Sequence, residues 1–447
     1  MLQKDDFRSN TQLFNATKRP EYLNQIYLKY IYYSFAIGVD NINHEQFNLN
    51  LKYEIQLIER KLKNNNYKFS RYKLKLISKG RGKPPRELYI PTIRDRIVLK
   101  NIQLYLKVIY GSKVEQETPQ NIIKKLKDYV NTGNYSHFIK IDIKDFYPSI
   151  NKEILLKKIR KNIRCNNFKT LLLDSLDPSS KEPIRGIPQG LSISNILAYI
   201  YLIDLDVKLK SINEIVYLRF VDDVFILLNQ NKKDHVVETI NKEFKRLKLS
   251  IHEIKENGSK SKIGKVTHGF DYLGYVYENG YFTVRQTTLN NLRNSIVECF
   301  TSYKYAKSDK KNLDFLIWRL NLKITGCIDD NQPKGWLYFF SQINNEKVLH
   351  ELDFFVSKLW KKFSMPIAEF SKVKKFTRTY YEITFNFYNS NYIPNFDKYS
   401  LLQKIEVLEN VFKIDTKGRS TLEIDHLFKS KTRKQIKKLL VDVRNFS

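Results

Sequence analysis

The chain has 447 residues, 42% of them hydrophobic, and carries 78 Lys and Arg against 47 Asp and Glu, a net charge of +31. This length is ample for a sizeable core and indicates two or three domains. Because the basic residues are spread along the whole chain, nucleic acid is the expected partner, with an acidic membrane surface as the alternative.

The cysteines, Cys165, Cys299 and Cys327, are few, odd in number and far apart, which excludes a disulfide framework and a zinc motif. The first ten residues are polar and lack a signal-peptide core. The longest uncharged apolar-aromatic run, 30–39, is far shorter than the ~20 residues of a membrane span. We therefore expect a soluble, cytoplasmic protein with no membrane partner.

The N-terminal part of the chain changes character near residue 70. Apolar positions at helical spacing predict helices over 20–64. Residues 71–91 alternate in the manner of strands and surround a basic turn at 78–85, which predicts a basic β-hairpin. Helical patterns return over 95–110 and 119–132.

The central part predicts strands and helices that alternate. Residues 137–143 are a short β-branched strand, and Asn151 is placed to cap a helix over 152–162. A loop at 186–190 precedes a long helix that begins near Ile193. The predicted elements that follow are a tight hairpin over 215–228, a basic amphipathic helix over 233–249, a strand over 269–276 and a mostly helical remainder beyond ~290.

Three acids lie at the ends of these apolar strands. Asp142 ends the first strand, and Asp222 and Asp223 form the tip of the hairpin. An Asp-Asp pair in a hairpin is often only a turn, since Asp suits turns. However, carboxylates set between buried strands need a cation, and hard oxygen ligands suit Mg²⁺. Two such ions support an in-line displacement at phosphorus.

The neighbouring segments, taken in order, resemble the motifs of reverse transcriptases. The resemblance covers roughly residues 70–275, and its departure is Phe220, where Tyr is commoner. The matching segments are Arg86–Arg96 (RELYIPTIRDR), Ile141–Ile150 (IDIKDFYPSI), Arg185–Ser194 (RGIPQGLSIS), Tyr217–Asp223 (YLRFVDD), Leu249–Lys255 (LSIHEIK) and Phe270–Gly274 (FDYLG).

The resemblance implies metal and catalytic roles for the acids. Asp142 and Asp222 are the expected direct ligands of two Mg²⁺ ions, with Mn²⁺ as the alternative metal. Asp223 lies close to the site, and the carbonyl of Ile143 completes a metal shell. The additional acids Asp145, Asp204 and Asp206 are interpreted as structural, the last two on the exposed end of a helix.

The resemblance also implies how a nucleotide binds. Tyr147 matches the steric gate that clashes with a ribose 2′-hydroxyl, and Gln189 with Gly190 matches the residues along the incoming nucleotide and template. Arg86 can fork onto a triphosphate. Lys255 is either the acid that protonates pyrophosphate or a solvated lysine. Lys79, Arg81 and Lys83 either assist Arg86 or form a solvated turn, and the single histidines His252 and His268 are interpreted as structural.

The implied fold class is α+β, a right-hand polymerase with fingers, a palm built on an antiparallel sheet, a thumb and an additional α-helical C-terminal region. The expected division is 1–135 for the N-terminal helices and fingers, interleaved with the palm, 136–280 for the palm and 281–447 for the thumb and C-terminal domain. The expected partners are a noncoding or template RNA, the DNA product and dNTPs, while the oligomeric state is left open.

Beyond residue 290, Trp318–Phe340 and Lys372–Tyr381 interleave basic residues with aromatics, which suits a phosphate backbone and stacked bases as well as a Lys-covered aromatic core. These tracts resemble defence-associated bacterial reverse transcriptases of the unknown-group lineage, and within it the second enzyme of systems that pair two reverse transcriptases with a noncoding RNA. The resemblance implies anti-phage DNA synthesis, with a protein-primed or non-conventionally templated product. The alternatives are a retron or group II intron-type enzyme or maturase, and a non-catalytic RNA-binding scaffold.

Overall fold

The computed structural model describes residues 3, 6–32, 34, 36–78, 80, 82, 84–178, 183–308, 311–441 and 443. They divide into two compact units. The first unit comprises 1–117 with 137–263, and the second comprises 118–136 with 264–447.

The described helices follow the predicted periodicity. Side-chain caps support several of them: Asn151 Oδ1 accepts the N–H of Ile154 at 3.0 Å, as its position predicted. In chain order they are α1 (Asn10–Ala16), α2 (Pro20–Ile26), α3 (His44–Leu49), α4 (Leu51–Lys63), α5 (Ile93–Tyr110), α6 (Pro119–Asn131), α7 (Phe146–Ser149), α8 (Lys152–Asn162), α9 (Asn166–Leu176), α10 (Ser194–Lys210), α11 (Lys233–Arg246), α12 (Gln286–Lys304), α13 (Leu313–Thr325), α14 (Trp336–Phe339), α15 (Lys347–Lys362), α16 (Phe376–Phe385), α17 (Leu401–Glu406) and α18 (Thr421–Val441).

The strands are short and pair with antiparallel neighbours. In chain order they are β1 (Lys73–Ile77), β2 (Arg86–Ile90), β3 (His137–Ile141), β4 (Val216–Phe220), β5 (Asp223–Leu228), β6 (Lys262–Lys265), β7 (Phe270–Tyr272), β8 (Tyr275–Glu278), β9 (Tyr281–Val284), β10 (Cys327–Asp329) and β11 (Gln332–Lys334).

The first unit is built around a four-stranded sheet in the order β4-β5-β3-β6, where β6 begins as the unit ends. Antiparallel ladders set Ile141 opposite Val224 and Phe220 opposite Asp223. The long helix α10 belongs to the same core, because Leu197, Ala198 and Tyr201 are fully buried. A helix that is apolar around its circumference must lie inside the protein rather than on its surface.

The second unit contains a three-stranded sheet in the order β7-β8-β9 and the β10-β11 hairpin, with helices around them. One of its cores collects apolar residues from α13, α18 and the segment between them, Leu322, Cys327, Phe396, Leu408, Ile424, Phe428, Ile436 and Leu439. Among the described residues, no helix combines the length and the apolar character needed to cross a bilayer.

The predicted α+β class with an antiparallel sheet and a helical C-terminal region is confirmed, as are the hairpins over 71–91 and 215–228. The prediction of one strand was wrong. The segment 269–276 is two strands, β7 and β8, because Leu273 (φ +47°) and Gly274 (φ +83°) turn the chain between them. Alternating aromatics continue across such a turn, so periodicity alone did not reveal it.

Candidate active site

The three sequence-predicted acids lie at one end of the β4-β5-β3 sheet. Asp142 directly follows Ile141, whose ladder partner is Val224, and Asp223 directly precedes Val224. Asp222 occupies the turn that joins β4 to β5. Antiparallel pairing therefore brings together side chains that are about eighty positions apart in the chain.

Electrostatics confirms that two of these acids are close in space. Burial raises the pKa of Asp222, the charge of Asp142 raises it further, and the guanidinium groups of Arg86 and Arg219 oppose the shift. A half-buried carboxylate whose ionised form is disfavoured by a neighbouring carboxylate fits a divalent cation, which would relieve that repulsion.

The carboxylate of Asp142 is turned towards a histidine and a lysine. Its Oδ2 lies 3.2 Å from Nε2 of His252 and 3.9 Å from Nζ of Lys260. The main chain is also fixed, since the Asp142 N–H donates to Oγ of Ser261 at 3.0 Å and the Asp142 carbonyl accepts the His252 N–H at 3.0 Å. His252 was interpreted as structural, and its contact with Asp142 could not be found without the tertiary fold.

Ile143 forms an isolated antiparallel bridge with Ile251. The hydrogen bonds that flank this bridge come from the Asp142 carbonyl and the Lys144 N–H. They leave the Ile143 carbonyl out of this pairing, which is consistent with its predicted role as an additional metal ligand.

The hairpin tip has an uncommon backbone that α10 holds in place. Val221 has φ +55°, a region that a β-branched residue seldom adopts. Its N–H donates to the Tyr199 hydroxyl at 3.3 Å, and its carbonyl accepts from Arg219 at 2.7 Å. Contacts from both sides keep the strained turn, and with it Asp222, in one orientation.

Asp206 anchors this arrangement, and its placement on an exposed helix end was wrong. Its carboxylate forms a forked ion pair with Arg219 and accepts from the Tyr217 hydroxyl at 2.7 Å, and its side chain is 16% exposed. Arg219 also lies 4.4 Å above the ring of Tyr199. Asp204 is more open and pairs with Lys158 at 3.1 Å. The structural interpretation of both acids agrees with these contacts.

A cavity of about 360 Å³ in the first unit is lined by three of the residues predicted to contact a nucleotide. Tyr147, Gln189 and Gly190 line it together with Gln103, Lys107, Val114, Gln116, Leu191, Ser192, Ser194, Asn195, Ile196 and Tyr199. The Tyr147 hydroxyl donates to Oδ1 of Asn195 at 2.6 Å. Burial, and then the charge of Asp222, raise the pKa of Tyr147, which therefore stays protonated.

Two glycines hold the 186–190 loop against its neighbours. A Cβ on Gly186 would lie 2.1 Å from the Tyr147 carbonyl oxygen, and a Cβ on Gly190 would lie 3.0 Å from that of Tyr89. The Tyr89 N–H donates to the Gln189 carbonyl at 2.8 Å. The loop thus connects the β1-β2 hairpin to the segment that carries Tyr147.

The remaining predicted residues differ in how closely they approach the acids. Arg86, at the start of β2, is near enough that its charge partly opposes the rise in the pKa of both Asp222 and Tyr147. Lys255 is half-exposed and pairs with Glu253 at 2.7 Å, a contact that does not distinguish its two interpretations. Lys79, Arg81 and Lys83 lie outside the described residues.

A cluster of lysines beside the cavity had no signal in the sequence. Lys100 Nζ lies 4.1 Å from the ring centroid of Tyr30 and donates to Oε1 of Gln103 at 2.8 Å, while Lys29 lies 5.5 Å from the same ring. Burial, and then the charges of Lys107 and Lys29, lower the pKa of Lys100 to about 8. The cavity wall that carries Lys107 is therefore strongly electropositive.

A different acidic trio lies in the second unit. Asp329, Asp330 and Asp397 hold carboxylate oxygens within 4.8 Å of one another, a spacing that could hold an ion. Existing contacts already compensate each acid. Lys334 pairs with Asp329, Arg433 pairs with Asp330 at 2.8 Å, and Asp397 accepts the N–H groups of 330 and 331 at 2.9 and 2.7 Å.

Comparisons with known proteins agree with this geometry. Residues 77–277 match the family model described as reverse transcriptase (RNA-dependent DNA polymerase). Protein YkfC of Escherichia coli K12 is 24% identical over 53% of this chain and 74% of its own length. The putative COX1/OXI3 intron 1 protein of Saccharomyces cerevisiae is 23% identical over 48% of this chain but only 25% of its own length.

Among solved structures, a telomerase from Candida albicans in complex with a fragment of telomeric RNA aligns over 90% of this chain and 71% of its own, with 13% identity and a TM-score of 0.41. An apo telomerase from Candida tropicalis aligns over 59% of this chain and 67% of its own, with 15% identity and a TM-score of 0.37. The family match covers the segment that carries the acids, the cavity loop and strand β2. Residues 77–277 form a reverse transcriptase domain, the domain of an RNA-directed DNA polymerase.

Proposed function

We propose that this protein extends a primer with deoxynucleotides on an RNA template, with Asp142, Asp222 and Asp223 as its catalytic carboxylates. The observation that carries the proposal is the convergence of these acids at one sheet end, where Asp142 raises the pKa of Asp222. The first unit also contains a cavity lined by Tyr147 and Gln189, whose size suits a nucleotide.

The proposed cofactor is a pair of Mg²⁺ ions, with Mn²⁺ as the alternative. When bound, divalent cations activate a primer 3′-hydroxyl and neutralise the leaving pyrophosphate. Asp142 and Asp222 are the proposed direct ligands, Asp223 a neighbouring carboxylate and the Ile143 carbonyl an additional ligand. His252 and Lys260, which contact the Asp142 carboxylate, are proposed to restrict its orientation.

The nucleotide is proposed to lie along Gln189 and Gly190, with its sugar against the Tyr147 ring. The hydrogen bond to Asn195 restrains that ring, so a 2′-hydroxyl on the sugar would clash with a ring that is held in place. Arg86 is proposed to bind the triphosphate, and its proximity to Asp222 agrees with this role. Lys255 is the proposed proton donor to pyrophosphate.

The experiment is dNTP incorporation on a primed RNA template with Mg²⁺, comparing wild type with Asp222→Asn. Loss of the carboxylate charge should lower the rate by about a hundredfold or more. The matched control is Asp234→Asn, an exposed acid at the start of α11, which should leave the rate unchanged. Equal incorporation by Asp222→Asn would refute the site assignment. Absence of incorporation by wild type as well, on every template tried, would favour the RNA-binding scaffold.

The proposed biological setting is cytoplasmic anti-phage defence, with a noncoding RNA as template or scaffold and a second reverse transcriptase as a candidate partner. It rests on the resemblance of the tracts 318–340 and 372–381 to the defence-associated lineage. In cells that carry the complete locus, phage plating should rise when Asp222→Asn replaces wild type. Unchanged plating would argue against a defence role that requires catalysis.

A second candidate function is that of an intron-type enzyme, which the similarity to two yeast proteins named for introns favours. The chain covers about a quarter of the length of the first of these proteins. Sequencing the nucleic acid that co-purifies with this protein separates the two settings. Intron RNA would favour the intron-type enzyme, and an unspliced noncoding RNA with a DNA product would favour defence.

For the domains, we propose that 1–135 contribute the fingers, 136–280 the palm and 281–447 the thumb with an added helical region. The four-stranded sheet with its acids suits a palm, and the β1-β2 hairpin beside Gln189 suits fingers that cover a nucleotide.

A further inference from the structure

A row of exposed aromatic rings follows the outer face of α16 in the second unit. Arg378, Tyr381 and Phe385 are spaced three and four residues apart, so they share one helix face, and Tyr388 follows just beyond the helix end. Tyr381 is 50% exposed, Phe385 72% and Tyr388 90%. We call Arg378, Tyr381, Phe385 and Tyr388 the aromatic row.

Three members of the row, Arg378, Tyr381 and Phe385, contact one another in turn. The Arg378 guanidinium lies 5.4 Å from the Tyr381 ring centroid, and the Tyr381 and Phe385 centroids are 5.3 Å apart. Glu382, whose side chain is 3% exposed, pairs with Arg378 at 2.6 Å and fixes its guanidinium. The row is thus a set of preformed planar faces that does not have to assemble when a ligand arrives.

The opposite face of α16 fastens the helix to its unit. Phe376 and Thr379 are fully buried, and the Phe376 N–H donates to Oδ1 of Asp353 at 2.6 Å. The Thr377 hydroxyl donates to the other oxygen of Asp353 at 2.7 Å. Because these contacts fix the rotation of the helix, the aromatic row cannot turn into the core to hide its rings.

Charge decides which ligand suits the row. Residues 371–392 contain four basic residues and one acid, Glu382, which Arg378 already neutralises. Lys372 pairs with Glu369 at 2.8 Å, and Lys375, which directly precedes the helix, is exposed. Planar rings beside a guanidinium and an exposed lysine are the combination that binds single strands, because bases stack on the rings while phosphates meet the cations.

We propose that the aromatic row binds a single-stranded segment of nucleic acid through base stacking, without reading its sequence. The row lies outside residues 77–277, which carry the polymerase motifs. It is therefore a second nucleic-acid site that does not depend on the proposed catalytic function. Its natural occupant would be an unpaired stretch of the template or of the product.

The test has a local readout because trypsin cleaves after Arg378 and Lys398 and so releases residues 379–398, with all three rings, as one peptide. Full-length protein is irradiated with an oligouridylate 20-mer that carries photoreactive 5-iodouridine, and cross-linked peptides are identified by mass spectrometry. The proposal expects cross-links within 379–398 that an unlabelled oligonucleotide removes and a duplex of equal length does not. Absence of cross-links in this peptide would overturn it.

A triple variant and a matched double variant separate stacking from apolar docking. Replacing Tyr381, Phe385 and Tyr388 by Leu keeps apolar surface but removes the rings, whereas Tyr381→Phe with Tyr388→Phe keeps every ring. The Leu variant should bind the single strand about fivefold or more weakly per ring lost, and the Phe variant should bind as wild type does. Tyr305→Ala, at another exposed ring of the second unit, serves as the control and should bind unchanged.

Unchanged affinity of the Leu variant, with its folding verified by thermal melting, would overturn the proposal. Loss on replacement by Ala but not by Leu would overturn it too, since that pattern identifies an apolar surface for a protein partner. The proposal would be supported if the Leu variant loses affinity for the single strand, the Phe variant keeps it, and binding to duplex changes little in both.

Discussion

Gly186 is the position where one added methyl group should most directly disturb the candidate active site. Its Cβ would lie 2.1 Å from the Tyr147 carbonyl oxygen and 2.6 Å from the carbonyl carbon of Pro148, and both of these are backbone atoms. No side chain can rotate away to make room. In Gly186→Ala the loop must therefore move off the Tyr147 segment, which breaks the hydrogen bond from the Ile187 N–H to the Tyr147 carbonyl.

The magnitude can be built from two contributions. An alanine at φ +65° costs about 1–2 kcal/mol in left-handed backbone strain. Breaking the bond of Ile187, which is 1% exposed, leaves a buried N–H without its partner and costs about 1–3 kcal/mol more. We expect Gly186→Ala to lower the free energy of unfolding of the first unit by about 2–5 kcal/mol and to impair dNTP incorporation, since Tyr147 loses its support.

Gly258→Ala is the matched control. Gly258 has a similar φ of +76°, but a Cβ there meets nothing within 4 Å. It should cost only the strain contribution, about 1–2 kcal/mol, and leave incorporation intact. Urea unfolding curves and incorporation rates of both variants form the assay. Equal losses for the two glycines would refute the argument from close backbone approach.

Other expected outcomes concern the same unit. Tyr147→Ala should raise the use of ribonucleotides relative to deoxynucleotides by about tenfold or more, and Asn195→Ala should raise it less. Competing incorporation of NTPs and dNTPs measures both effects. Unchanged discrimination would show that Tyr147 is an ordinary core residue. Lys100→Met should stabilise the protein at pH 7 by about 1–3 kcal/mol, because burial and two neighbouring lysines lower the pKa of Lys100 to about 8 and the folded state binds that proton weakly. The gain should shrink as pH rises from about 8 to 10.5 in paired urea titrations. A gain that stays constant with pH would contradict this prediction. Asp206→Asn should cost about 3–5 kcal/mol by leaving the Arg219 guanidinium buried without its counterion, and a loss below about 1 kcal/mol in urea unfolding would show that the pair is not coupled to folding.

The sequence predicted most of the elements around the site because each has a strong local signal. The β4-β5 hairpin follows from two apolar runs around one acidic tip, and the capped start of α8 follows from Asn151. The boundary between β7 and β8 was missed, since the turn at Leu273 interrupts no pattern of apolar residues. Local patterns report burial and turns, but they do not report which side chains meet.

Contacts between distant segments account for what the sequence could not give. His252 reaches Asp142 only because Ile143 bridges Ile251, and a single histidine carries no spacing that would reveal this. Lys100 has a lowered pKa only because the fold buries it and brings Lys107 and Lys29 around it. His252 was interpreted as structural and Lys100 carried no prediction, because the environment of each residue is set by its tertiary neighbours.

The helix α10 explains why the cavity and the acidic sheet end keep a fixed relation within the first unit. Its first turn carries Asn195, which holds the Tyr147 hydroxyl, and its middle carries Tyr199, which accepts from the N–H of Val221. Further along, Asp206 holds the Arg219 that supports the same turn. Since one rigid, buried helix contacts both the ring beside the cavity and the turn that presents the acids, a shift of α10 must disturb both together. Substitutions along its length are therefore expected to act on nucleotide discrimination and on the acidic site as a coupled pair, not independently.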